Sequence, residues 1–108
     1  MTLREVLVRY RDSILAEMAR DGFYYCQKRR FDPVVWDINN GYCEEFAYGV
    51  LAELPPSDDT FVVWLEDEIE GAPAHYVLAV GGRYYDAEAI DGVDTLTDLP
   101  IFEMRMRP

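Results

Sequence analysis

Histidine and cysteine are scarce in this chain: His75 is the only histidine, and Cys26 and Cys43 are the only cysteines among 108 residues. Two cysteines cannot make a disulfide framework, and one histidine cannot complete a four-ligand zinc site with them, so no metal and no cofactor is expected. Positive charge is also short, with ten Lys and Arg against 21 Asp and Glu and a formal charge of -11. A field of that sign repels phosphate backbones and anionic lipid surfaces, which argues against nucleic-acid and membrane partners. A basic or neutral peptide or protein suits it better.

Long apolar runs are missing as well. Nothing approaches the roughly 18 residues of a membrane span, and the opening MTLREVLVRYRDS lacks the apolar segment of a signal peptide. The expectation is a cytoplasmic chain, in which a Cys26–Cys43 bridge is not anticipated. Gly81-Gly82 joins two strands rather than opening a helix, so no phosphate loop is present. The acidic run Glu66, Asp67, Glu68, Glu70 and the stretch from Asp86 to Asp94 lack the ligand spacing of an EF-hand, and the run reads as a solvated loop.

What the chain does have is apolar material: half of its residues are hydrophobic and 14% are aromatic. That is enough for a single domain, 1–108, burying roughly 65% of its unfolded surface. Leu3, Leu7, Tyr10, Ile14 and Met18, flanked by Val6 and Leu15, recur at helical spacing from residue 2 to about 20. Thr2 and Glu5 suggest a capping box, and Asp21-Gly22 a stop. Residues 23–31, FYYCQKRRF, are aromatic then basic and fit a strand, an irregular segment or a further turn of helix. Lys28, Arg29 and Arg30 there read as a solvated turn.

Asn39, Asn40 and Gly41 form a turn cluster. Cys43, Phe46, Ala47, Val50, Leu51 and Leu54 then recur at helical spacing until Pro55-Pro56. Residues 60–65 read as a buried strand, and 74–80 and 83–87 as a hairpin closed by Gly81-Gly82. The tail from Ile90 suggests a loop or short helix and then a last strand. So short a chain also leaves little material for the walls of a deep pocket.

A helix start lowers a thiol pKa through its unpaired N–H groups and dipole, and Cys43 sits at such a start. A nucleophile also needs a base, and His75 is the one imidazole available. A two-residue Gly81-Gly82 turn pairs Val80 with Arg83, which places Asp86 diagonal to His75 and Glu88 directly across from it. His75, Val77, Ala79, Tyr84, Asp86 and Glu88 then share a face, with Tyr84 able to wall a pocket. A three-residue turn would present Tyr85, Ala87 and Ala89 instead. Each residue also has an ordinary structural role: cysteine is a common core residue, and a buried histidine is commonly satisfied by one hydrogen bond.

The stretches G-x-C-x-x-F-A at 41–47, A-H-Y-V at 74–77 and G-x-Y-Y-D-A at 82–87 resemble the papain-like and transglutaminase-like superfamily. There a cysteine opening a helix is followed by a histidine on one strand and an aspartate on the next. The order is also similar to that of short bacterial and phage proteins. The resemblance implies Cys43 as nucleophile, His75 as general base and Asp86 as orienting carboxylate, with Glu88 the alternative partner of His75. It implies one oxyanion donor from the Cys43 N–H and a second from Asn39, Asn40 or Tyr42. The chain departs from the pattern at Tyr76, where transglutaminase-like enzymes usually carry tryptophan, and in lacking a substrate-binding lobe.

The expected fold is α+β: the Cys43 helix on a small antiparallel sheet of three to five strands, covered on one side by the N-terminal helix. The expected function is a cysteine hydrolase or acyl transferase acting on an amide or thioester. The competing expectation is a non-catalytic acidic binding module on the same scaffold.

Overall fold

The computed structural model describes residues 1–105, and in it the spacing of Leu3, Leu7, Ile14 and Met18 is realised as a 19-residue helix, α1 (Leu3–Asp21). Thr2 caps it by accepting from the Glu5 N–H at 3.2 Å, while its hydroxyl donates to the Glu5 carboxylate at 3.1 Å. Gly22 ends it at φ 83°, with its N–H on the Met18 carbonyl. Val6, Leu7, Ile14 and Met18 are buried, and Leu3, Tyr10 and Leu15 pack at their edge.

The undecided segment 23–31 is a small hairpin, β1 (Phe23–Tyr25) with β2 (Lys28–Arg30). Its turn residues Cys26 and Gln27 both have positive φ, the conformation that closes a two-residue hairpin loop. A short helix, α2 (Val35–Asn39), follows. The helix that bears the cysteine is α3 (Cys43–Glu53), with Phe46, Ala47 and Val50 buried along the expected stripe.

Strands β3 (Thr60–Trp64), β4 (Tyr76–Val80) and β5 (Arg83–Tyr85) form an antiparallel sheet in the order β3-β4-β5. The acidic run is not a loop throughout. It opens with one helical turn, α4 (Leu65–Glu68), because Leu65 is fully buried and carries the chain out of β3. Val80 pairs with Arg83, so the two-residue turn sets the hairpin register as expected. Gly81 and Gly82 hold φ 58° and 82° in open space. Gly82→Ala should therefore cost about 1 kcal/mol through backbone strain alone, a loss that chemical denaturation can read without any change in the fold.

The two sides of the sheet serve different clusters. Leu78 lies with Phe46, Val50, Leu7 and Met18 under α1 and α3, whereas Val77 lies with Leu65, Leu99 and Ile101. The chain is thus α+β, with five α-helices and two small antiparallel sheets among the described residues. The expected closing strand is absent from them. Residues 96–98 form a 3-10 turn and α5 (Pro100–Arg105) follows, leaving only a bridge between Tyr84 and Val93. Residues 106–108, where that expectation also fell, lie outside the described residues. No helix among the described residues is long and apolar enough to cross a membrane.

Candidate active site

Three chain segments meet at the end of the sheet where β4 begins and β5 finishes. Cys43 is the first residue of α3 and partly buried; His75 immediately precedes β4, and Asp86 immediately follows β5. His75 is 0% and Asp86 2% exposed, so both lie in the interior. The His75 Nε2 and Asp86 Oδ2 are 3.0 Å apart. The other carboxylate oxygen, Oδ1, accepts from the N–H groups of Glu88 at 2.9 Å and Ala89 at 2.7 Å. One carboxylate therefore both holds the ring and turns the chain.

That turn decides between the two carboxylates left open by the strand arithmetic. Pairing in the hairpin ends at Leu78 with Tyr85, so the extrapolated positions of Asp86 and Glu88 opposite Val77 and His75 do not form. Bending at Asp86 carries Glu88 toward α2, where it accepts from Asn39 Nδ2 at 3.1 Å. The hydrogen-bonded carboxylate of His75 is Asp86.

With Nε2 on Asp86, the second ring nitrogen, Nδ1, is buried and has no partner within ordinary hydrogen-bond limits among the described residues. The thiol of Cys43 and the ring influence one another's protonation across a separation beyond those limits. Burial pushes the Cys43 thiol up, but the stabilising influence of His75, the N–H of Tyr76, the charge of His75 and the N–H of Glu44 together bring it below its ordinary value. Burial likewise pushes His75 down, but the Asp86 hydrogen bond, the influence of Cys43 and the two negative charges outweigh it and raise the imidazole to about 9. Opposite shifts on adjacent groups favour a thiolate beside an imidazolium.

The Tyr76 ring is held between Trp64, at 4.6 Å between centroids, and Tyr48, at 5.7 Å, which steadies the main chain beside the sulfur. At the start of α3 the Cys43 N–H has no acceptor within the helix, so it is available to an oxygen on a ligand.

Cys43 opens onto a cleft of 530 Å³ whose lining includes Trp36, Asn39, Asn40, Glu66, Pro73 and Ile101. Of the residues proposed from sequence for an oxyanion, Asn39 and Asn40 line this cleft and Tyr42 does not; it packs against the first core cluster. Asn39 is 2% exposed and points its Nδ2 at Glu88, and Asn40 donates its own Nδ2 to the Trp36 carbonyl at 2.9 Å. Tyr84, the suggested pocket wall, packs with the second cluster and is not part of the lining.

The walls contributed by Trp36, Glu66, Pro73 and Ile101 were not evident from sequence. They come from four separate segments, and only Glu66, in an acidic run, carried any chemical signal. Among the described residues no group of three His, Cys, Asp or Glu side chains is disposed to hold a metal. No family model matches the chain, and neither a curated protein nor a solved structure shows significant similarity to it.

Proposed function

We propose that the protein is a cysteine hydrolase or acyl transferase that uses Cys43, His75 and Asp86, in the order found in papain-like and transglutaminase-like enzymes. The observation that carries this reading is the buried His75 ring, bonded to a buried carboxylate through Nε2 and coupled to a thiol at a helix start. A histidine kept only for packing needs neither neighbour.

The Cys43 thiolate attacks an acyl carbon, and the carbonyl electron pair moves onto oxygen, which accepts from the Cys43 N–H. Collapse of this intermediate expels the amine or thiol, which takes its proton from His75. The acyl group is left as a thioester on Cys43. Water or an acceptor amine, giving its proton to the neutral imidazole, then attacks that thioester and restores the thiolate. Asp86 keeps Nε2–H engaged, so that Nδ1 is the nitrogen that exchanges protons.

The pH dependence follows from the two shifts. Thiolate appears as pH rises through a value below that of an ordinary thiol, and the acid form of His75 is lost as pH rises through about 9. Turnover should be bell-shaped between these limits. Alkylation by iodoacetamide needs only the thiolate, so it should rise and then level off for Cys43, with Cys26 as an exposed internal control read by mass spectrometry. A Cys43 rate that levels off no earlier in pH than that of Cys26, or no alkylation at all, would set this reading aside in favour of a binding module.

A further inference from the structure

We infer that the cleft beside Cys43 selects an acyl donor carrying an ammonium or guanidinium group, as a lysine- or arginine-like side chain does. The inference rests on the thiol chemistry proposed above and specifies its substrate class.

Four observations about the lining support it. Glu66 brings a carboxylate to the cleft, and no ion pair or hydrogen bond occupies that carboxylate among the described residues. Among the described residues no lysine or arginine lines the cleft. Trp36 offers an indole there, its ring braced by Tyr25 at 5.7 Å between centroids in an edge-on contact, and an indole face attracts cations. Asn39, one-fiftieth exposed, commits an Nδ2 hydrogen to Glu88 and keeps Oδ1 as a buried acceptor without a partner among the described residues. The side-chain chemistry is therefore rich in acceptors, as a ligand rich in N–H donors requires.

The backbone at Glu66 is also anchored relative to the reacting pair. Its neighbour Leu65 is fully buried, and the Leu65 N–H donates to the His75 carbonyl at 3.0 Å. The helical turn that presents the carboxylate is thus tied to the residue that serves Cys43. Pro73 and Ile101 supply apolar wall along which the aliphatic stem of a lysine or arginine can lie. The overall charge of -11 draws cations toward the molecule as a whole, so it adds to encounter and not to discrimination at this cleft.

The test uses three methanethiosulfonates: one bearing a primary ammonium group, one a sulfonate and, as the uncharged reference, one only a methyl group. In each case the Cys43 thiolate attacks the sulfenyl sulfur, a mixed disulfide forms, and methanesulfinate leaves with the electron pair of the broken bond. Rates at Cys43 and Cys26 are read in the same sample by mass spectrometry. Dividing each by the methyl reagent's rate cancels differences in intrinsic thiol reactivity.

The cationic preference at Cys43 should exceed that at Cys26 by about tenfold, the factor that about 1.4 kcal/mol represents. Cys26 shares the overall charge, but Lys28, Arg29 and Arg30 beside it repel a cationic reagent, so the ratio counts for the inference only with the Glu66→Gln response, which changes charge at the cleft alone. Glu66→Gln, an exposed and nearly isosteric change, should reduce the preference at Cys43 at least roughly threefold, and 0.5 M salt should weaken it only in part, since screening acts most on distant charge. Equal preferences at the two cysteines, an anionic preference at Cys43, or no response to Glu66→Gln would overturn the inference while leaving the thiol chemistry standing. A Cys43 inert to all three reagents would instead remove the proposed function, and the inference with it.

Discussion

Asp86→Ala should destabilise the protein by about 3–5 kcal/mol, the usual consequence of leaving one member of a buried charged pair without the other. Three hydrogen bonds end on this carboxylate: from His75 Nε2, and from the N–H groups of Glu88 and Ala89. Alanine leaves all three donors buried or partly buried with no acceptor in place, at a residue that is itself 2% exposed. Against a total stability of about 5–15 kcal/mol for a domain, the loss is large enough to unfold part of the population at 37 °C. Urea denaturation measures it directly.

Asp86→Asn separates the two jobs of this side chain. Its Oδ1 can still accept from Glu88 and Ala89, so the turn should survive and the stability loss should be well under that of alanine. The negative charge beside the ring is gone, however, and burial then pushes His75 down from about 9. An NMR titration of the His75 ring should show this fall in the folded asparagine variant. A ring that titrates as in the parent protein would mean that Asp86 holds the turn only.

The site was legible in sequence to the extent that local rules place its members. Asn40 and Gly41 before a three-and-four stripe put Cys43 at a helix start, although Asn39, read as part of the same turn, ends α2, and Gly81-Gly82 set the hairpin register that brings His75 near Asp86. The choice between Asp86 and Glu88 was not legible, because strand arithmetic assumes that pairing continues and the hydrogen bonds to Asp86 Oδ1 end it. The first hairpin was hidden for a similar reason: Cys26 and Gln27 take positive φ without being residues that advertise it. One helical turn in α4 is too short to show a period, so Glu66 could not be distinguished from its solvated neighbours. Cleft walls drawn from α2, α4, the segment before β4 and α5 exist only after the core has packed, which no local pattern encodes.

His75→Ala should produce the largest functional change, read on the folded fraction because the substitution also leaves the buried Asp86 carboxylate without its ring partner. If His75 serves as proton acceptor and donor, its loss should lower turnover of an acyl substrate by about 10²–10⁴-fold. The same change acts on the thiol itself. Burial remains and pushes Cys43 up, while the stabilising influence and charge of His75 vanish and only the N–H groups of Tyr76 and Glu44 still favour the thiolate. The Cys43 pKa must therefore rise, and below it each unit of rise lowers the alkylation rate by about tenfold. Comparing the variant with the parent across pH 5–10 distinguishes the two effects: alkylation should recover at high pH as the thiolate forms, whereas turnover should not, because the proton donor is missing at every pH. Imidazole added to the alanine variant can then replace the lost side chain where the cavity admits it, restoring turnover without moving the fold. Parallel recovery of alkylation and turnover at high pH, without added imidazole, would confine His75 to setting the charge on Cys43 and deny it a part in proton transfer.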